Sequence, residues 1–261
     1  MMKIKKPNRR NNMNFIRLSI DENIATIVLS RPKVNAINET VVEELRECFQ
    51  KLAIDPNIKA VILTGEGSFF SFGLDVPEFL SYSKDCFTRF LAKFTELLSY
   101  IFLYPKPVVA AINGHAIAGG CMLALACDYR LMVSEKAKIS LNEITFGSTV
   151  FASATSMLRF WVGGRNAELI LYRGEMYLAD DAKMLGLVDE VVSKENLYES
   201  ARKVAQDFAN KDSNAFQSIK MLLRKPVAEE INKREINSIL EFVEIWYSEG
   251  TQEILEKIKI Y

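Results

Sequence analysis

The sequence predicts a layered α/β fold with mostly parallel strand pairing and an all-helical C-terminal region. Three observations carry that expectation. Short β-branched runs recur and alternate with amphipathic helical segments, in repeated strand, strand, helix units. Glycine turns stand where two of the apolar runs end. From residue 196 onward the apolar spacing is almost wholly helical.

In chain order, residues 15–20 and 24–29 read as two strands joined by a turn at Asp21-Glu22-Asn23, and residues 40–52 as a helix with Val41, Val42, Leu45, Phe49 and Leu52 on one face, capped by Asn38 or Thr40. Residues 60–63 form a buried strand ended by Thr64-Gly65-Glu66-Gly67. Residues 76–82 and 85–104 read as helix broken by a loop, and Pro105 stops the second part. Residues 108–112 are a further buried strand, and Ala118-Gly119-Gly120 opens the helical pattern Met122, Leu123, Leu125, Ala126. After Glu143 comes a polar-to-apolar segment over 148–162. Residues 165–172 and 180–184 are helical, and 186–192 are a strand entered through glycine. We divide the chain into a basic tail over 1–12, predicted to be disordered, a core over 13–195, and a helical region over 196–261 that packs on another subunit or on its own core.

Composition narrows the function classes. The chain has 261 residues, 49% of them hydrophobic, so a substantial core can form. Lys+Arg and Asp+Glu are both 33, which gives no argument for nucleic acid as a partner. No apolar run approaches the ~18 residues of a membrane span, so no membrane insertion is expected. A cytoplasmic location is the expectation, with a mitochondrial one kept open by the basic start. Cys48, Cys86, Cys121 and Cys127 lack zinc-ribbon spacing and read as packing residues, and His115 is the single histidine, so no metal site is expected.

Two glycine turns draw attention: Phe72-Gly73-Leu74-Asp75 beyond the strand at 60–63, and Ala118-Gly119-Gly120 beyond the strand at 108–112. If those strands are neighbours, two backbone N–H groups can converge on one oxygen, an oxyanion hole. From spacing alone the turns serve equally well as exits of helices from strands. Glu143 lies beside Asn142 among Ile139, Leu141 and Ile144. Half-buried, its carboxyl would have a raised pKa and suit a base, whereas an exposed loop glutamate is the commoner case.

At these residues the sequence resembles the crotonase (enoyl-CoA hydratase/isomerase) superfamily. The segments LSRPKVNAIN, VILTGEGSFFSFGLD, KPVVAAINGHAIAGGCMLALACDYRLM, LNEITFG and ADDAKMLGLVDEVV carry the resemblance, from about Phe15 to the C-terminus. It implies a crotonase-like ββα spiral core, a helical C-terminal region, a homotrimer or hexamer, and an acyl-CoA thioester substrate, with coenzyme A as part of that substrate and no separate cofactor. By motif, the thioester oxygen would sit between the N–H groups of Leu74 and Gly119, next to Phe72, Gly73 and Ala118.

Hydratases of this family carry two glutamates. Here the first position is Met122, and only the second is kept, as Glu143. A thioether can neither take nor orient the proton of a water, so the resemblance implies Δ3,Δ2-enoyl-CoA isomerisation with Glu143 as the one proton shuttle. The mitochondrial-type isomerases are the most similar, and dienoyl-CoA isomerases, which keep an acid at the Met122 position, are less so. Ser148-Thr149-Val150-Phe151-Ala152 replaces the glycine-rich run of many hydratases, so Phe146, Val150 and Phe151 are expected to set acyl length. CoA is expected along Lys33, Asn35, Ala36 and Asp75, with Lys33 either on a phosphate or solvated as a turn lysine. Asp128 is expected to be structural, bonded to backbone or to Arg130. Another crotonase-type reaction (hydratase, hydrolase or decarboxylase) and a non-catalytic acyl-CoA-binding module are the alternatives.

Overall fold

A computed structural model describes residues 13–258. The basic tail expected over 1–12 lies outside the described residues. β1 (Ile16–Asp21) and β2 (Ile24–Leu29) form an antiparallel hairpin, and α1 (Glu39–Ile54) follows, capped by Asn38, whose side chain accepts from the Val41 N–H. β3 (Ala60–Gly65) runs into β4 (Phe69–Ser71), then α2 (Val76–Phe79) and α3 (Lys84–Phe102). β5 (Val108–Ile112) runs into β6 (His115–Ile117) and α4 (Gly119–Ala126). β7 (Tyr129–Val133) runs into β8 (Ile139–Ser140), a 3-10 turn (Glu143–Phe146) and α5 (Ala152–Arg173). α6 (Ala179–Leu185), β9 (Glu190–Val192), α7 (Leu197–Ala209), α8 (Ser213–Trp246) and α9 (Glu249–Leu255) complete the chain.

The strand, strand, helix repeat has a direct structural meaning. β1-β2-β3-β5-β7-β9 make one mixed sheet, parallel from β2 onward, and β4-β6-β8 make a second, parallel sheet. Three successive strands of the large sheet therefore each continue into a strand of the small one. Because the small sheet is parallel, the chain leaves all three of its strands at the same end. The residues that follow them are Phe72-Gly73-Leu74, Ala118-Gly119 and Leu141-Asn142-Glu143.

β3 and β5 are neighbours, as the convergence of the two glycine turns requires. The small sheet itself was not expected from the sequence: three, three and two residues are too few to show a period. Two other boundaries move. The strand expected over 186–192 narrows to Glu190–Val192, because Gly186 is the left-handed cap of α6. The segment over 148–162 becomes helical from Ala152 and runs, across a kink at Gly163 whose φ of +76° departs from helical geometry, into the helix expected over 165–172.

The core combines the β-branched residues of both sheets with an aromatic cluster on the helices. Phe79 stacks on Phe90 at 4.2 Å between centroids, Phe87 meets Trp246 at 4.8 Å, and Phe151 meets Phe242 at 4.6 Å. Through these rings α8 packs on α3 and α5 of its own chain, one of the two arrangements left open by the sequence. α8 also holds the start of α5: the Glu235 carboxylate accepts from the Ser153 N–H at 2.7 Å and the Ser153 hydroxyl at 2.6 Å. Arg224 of α8 reaches the far end of α4, where it pairs with Asp128 at 2.9 Å and lies over Trp161.

Candidate active site

The three chain segments that leave the small sheet define one cavity. It has a volume of about 300 Å³. Leu74 and Phe72 come from the first segment, Ala118, Gly119 and Met122 from the second, and Asn142, Glu143, Thr145 and Phe146 from the third. Phe94 of α3, Phe151 at the N-cap of α5, and Phe242 and Trp246 of α8 form apolar wall, and Ile254 and Ile258 of the C-terminal segment complete it.

The two glycine turns approach each other closely. Gly73 has φ +95°, and a Cβ placed there would lie 2.8 Å from the Ile117 carbonyl oxygen and 3.0 Å from the Gly119 nitrogen. A Cβ on Gly119 would stand 3.5 Å from the Gly73 Cα. Among the described residues, neither the Leu74 N–H nor the Gly119 N–H is taken up by a turn, loop or cap carbonyl. Gly119 is the first residue of α4, where an N–H has no intrahelical acceptor and the helix dipole adds positive potential. Ala118 before it holds φ +49° and ψ −117°, a costly conformation for a residue with a Cβ. The Ala118 N–H fixes it by donating to the Ser140 carbonyl of β8 at 2.8 Å.

The far end of α4 is equally well held. Its terminal carbonyl, Cys127 O, accepts from Arg130 at 3.3 Å and Arg224 at 3.4 Å, cations at the negative end of the helix. Asp128 accepts from Lys220 at 2.8 Å and from the Val108 N–H at 2.7 Å. Asp128 is thus structural, as expected, but its partners are Val108, Lys220 and Arg224. Arg130 pairs instead with Asp189 at 2.7 Å.

Glu143 opens the 3-10 turn and is 3% exposed, so the exposed-loop alternative does not describe it. The turn is closed by Ser148 N–H donating to Glu143 O at 3.0 Å and by Thr145 Oγ1 donating to Asn142 O at 2.7 Å. Neither carboxyl oxygen has a hydrogen-bond partner among the described residues. Burial pushes its pKa up to about 8, opposed only by its own backbone N–H, which lies outside hydrogen-bonding geometry. Met122 is 2% exposed and lines the same cavity, and Glu143 is the one carboxylate among the lining residues described.

The remaining residues singled out from the sequence divide. Asp75 caps α2 and pairs with Arg31, at the edge of the first glycine turn. Asn35, with φ +51°, is buried and spends its amide on the Glu66 and Phe69 carbonyls at 3.0 and 2.8 Å, which ties the turn before β4 to the loop after β2. Ala36 is buried. Lys33 is exposed, with φ +73° and no ion pair among the described residues. Val150 is packed against the core and does not line the cavity, whereas Phe146 and Phe151 do. Val76, Phe94, Ile117, Thr145, Phe242, Trp246, Ile254 and Ile258 also line the cavity and were not expected there from the sequence. Helical periodicity marked most of the helical ones as apolar, but not which space they would face.

The family model described as "Enoyl-CoA hydratase/isomerase" matches residues 19–260. The chain belongs to the enoyl-CoA hydratase/isomerase family, the crotonases. Its relatives carry both activities in their names. A probable enoyl-CoA hydratase of Bacillus subtilis (strain 168) is 34% identical over 213 residues, 81% of this chain and 82% of that protein. The mitochondrial enoyl-CoA delta isomerase 1 of Mus musculus is 31% identical over 242 residues, 90% of this chain and 84% of that protein. Among solved structures, the human mitochondrial delta3-delta2-enoyl-CoA isomerase superposes with a TM-score of 0.89 at 28% identity, covering 93% of this crotonase and 96% of that chain.

Proposed function

We propose that this crotonase is a Δ3,Δ2-enoyl-CoA isomerase, which moves a β,γ double bond of an acyl-CoA thioester into conjugation. The observation that carries the proposal is a cavity lined by one carboxylate, Glu143, by Leu74 and Gly119, whose backbone N–H groups are unengaged among the described residues, and by a thioether, Met122, where the family resemblance would put a second acid. In a 3-enoyl-CoA the thioester acidifies the C2 protons. Glu143 takes one of them, the electrons move into a dienolate, and the Leu74 and Gly119 N–H groups hold the negative oxygen. The proton then returns from Glu143 to C4 as the double bond forms between C2 and C3. No proton is lost or gained overall, so one base suffices.

Each N–H donor of this kind is worth about 2.7–4 kcal/mol of barrier. A carboxyl buried as neutral acid in the free protein is a strong base once ionised, which suits abstraction of a weakly acidic C–H. Hydration is the second reading, favoured by the hydratase names among the relatives. It needs a water oriented between two acids, and the cavity offers one.

The coenzyme A portion would lie along Lys33, Asn35, Ala36 and the turn from Phe72 to Asp75, with Lys33 free to meet a phosphate. Assembly into trimers, or pairs of trimers, would cover Ile219, Leu222 and Leu223, three exposed apolar side chains on α8. The deciding experiment supplies the protein with 3-enoyl-CoA and 2-enoyl-CoA esters of several lengths. Conversion of 3-enoyl to 2-enoyl esters with little hydration supports the isomerase. Hydration at a comparable rate supports the second reading, and binding without turnover would leave an acyl-CoA-binding protein.

A further inference from the structure

The last helix touches two parts of the site at once. Thr251 of α9 is buried, and its hydroxyl donates to the Gly147 carbonyl at 2.7 Å while accepting from Ser248 Oγ at 3.1 Å. Gly147 ends the turn that Glu143 begins, and its φ of +73° is the left-handed cap of that turn. One turn of helix beyond Thr251 stands Ile254, which with Ile258 lines the cavity. Ile254 is 40% exposed, so apolar surface at this end of the cavity is left for a ligand to cover. A Cβ on Gly147 would lie 3.3 Å from Thr251 Oγ1 and 3.8 Å from Ile254 Cδ1, so helix and turn are in van der Waals contact.

The turn also packs against a second backbone segment. Gly174, with φ +57°, is so close that a Cβ there would come within 2.7 Å of Ile144 Cγ2 and 2.8 Å of Thr145 Cγ2. The turn therefore packs against the Gly174 backbone as well as against Thr251. α9 itself is held to α8 by Gln252 Nε2 donating to Trp246 O at 2.7 Å.

We infer that Thr251 is a positioning residue that makes the placement of Glu143 depend on the length of the acyl chain. A tail long enough to cover Ile254 and Ile258 stabilises α9 in the position it already holds, and the Thr251–Gly147 hydrogen bond carries that added rigidity to the turn that holds the base. Binding energy from the remote tail is then spent on orienting Glu143, so a longer tail raises kcat and not merely affinity. The inference rests on the acyl-CoA reading of the cavity. A volume near 300 Å³ is at the small end of the ~300–1,000 Å³ usual for ligand sites, which points to short and medium chains.

The test pairs an exchange measurement with kinetics. Amide hydrogen exchange at Gly147 and Ser148, neither of which lines the cavity, is followed with butanoyl-CoA and octanoyl-CoA, saturated esters that cannot react. Protection is expected to grow with chain length in the native protein, to lose that dependence in Thr251→Val, and to regain it in Thr251→Ser, which keeps the hydroxyl. With 3-enoyl-CoA esters, kcat of Thr251→Val is expected to fall about tenfold or more for the longer chain while KM changes little, with rescue by Thr251→Ser. Equal protection at both lengths in the native protein overturns the inference even if Thr251→Val does not fold, and so does a Thr251→Val enzyme that keeps the dependence. Length-dependent protection without any turnover would remove the isomerase and leave the coupling standing.

Discussion

Gly73 and Gly119 lie so close that a single methyl group on Gly73 would reach to 3.0 Å from the Gly119 nitrogen, one of the two N–H groups proposed to hold the thioester oxygen. Gly73→Ala is therefore a direct probe of the donor pair. It forces a Cβ onto a φ of +95° and against the Ile117 carbonyl, so the Leu74 amide must turn away or the Ala118-Gly119 turn must retreat. We expect kcat to fall by a factor of about 100–1,000, the cost of one misplaced donor. Steady-state isomerisation assays on a variant whose circular dichroism matches the native protein will check it. Near-native kcat would exclude the two-donor arrangement.

The raised pKa of Glu143 gives two pH signatures of opposite sense. In the proposed mechanism Glu143 acts as carboxylate, so kcat/KM should climb with pH and level off above about 8, since it reports ionisation of the free enzyme. Stability runs the other way. The folded pKa lies above the unfolded value of about 4.3, so the advantage of the buried neutral form is complete below about 4.3 and is lost as pH rises toward 8. Glu143→Gln removes this dependence, and the stability of Glu143→Gln relative to the native protein should rise across that window. Urea titrations at several pH values measure it, and a flat difference would contradict the burial argument.

Asp128 supports the site from the far end of α4. Lys220 and Arg224 are nearly inaccessible and both pair with it, so Asp128→Ala leaves two cations without their carboxylate in a closed interior. Breaking such a buried group by removing one partner costs about 3–5 kcal/mol. Denaturant unfolding should show a loss of that size. A loss below about 1 kcal/mol would place Asp128 among weak surface pairs.

The legible and illegible parts of this molecule differ in physical kind. β2, β3 and β5 were readable because buried β-branched runs have few alternatives, and α1 because Val41, Val42, Leu45, Phe49 and Leu52 repeat at helical spacing. Met122 and Glu143 are singled out through the family resemblance, Met122 three residues after Gly119 and Glu143 within LNEITFG, and periodicity alone marks neither. The small sheet was not, because eight residues in three pieces carry no period, although that sheet aligns Leu74, Gly119 and Glu143. The apolar wall of the cavity was not readable either. Phe242, Trp246 and Ile254 reach it from more than 90 residues beyond Glu143 in the chain, and helical spacing fixes only that they share an apolar face. Thr251 carries no apolar signal at all, and its hydrogen bond to Gly147 spans 104 residues of sequence.

The one-base mechanism stands or falls on Glu143. The most direct measurement is the rate at which Glu143→Gln converts a 3-enoyl-CoA to its 2-enoyl isomer, with binding of a saturated acyl-CoA of equal length measured on the same preparation. Glutamine keeps the shape and cannot accept the C2 proton. The account predicts loss of isomerisation with binding close to native. Full isomerisation by Glu143→Gln would contradict it.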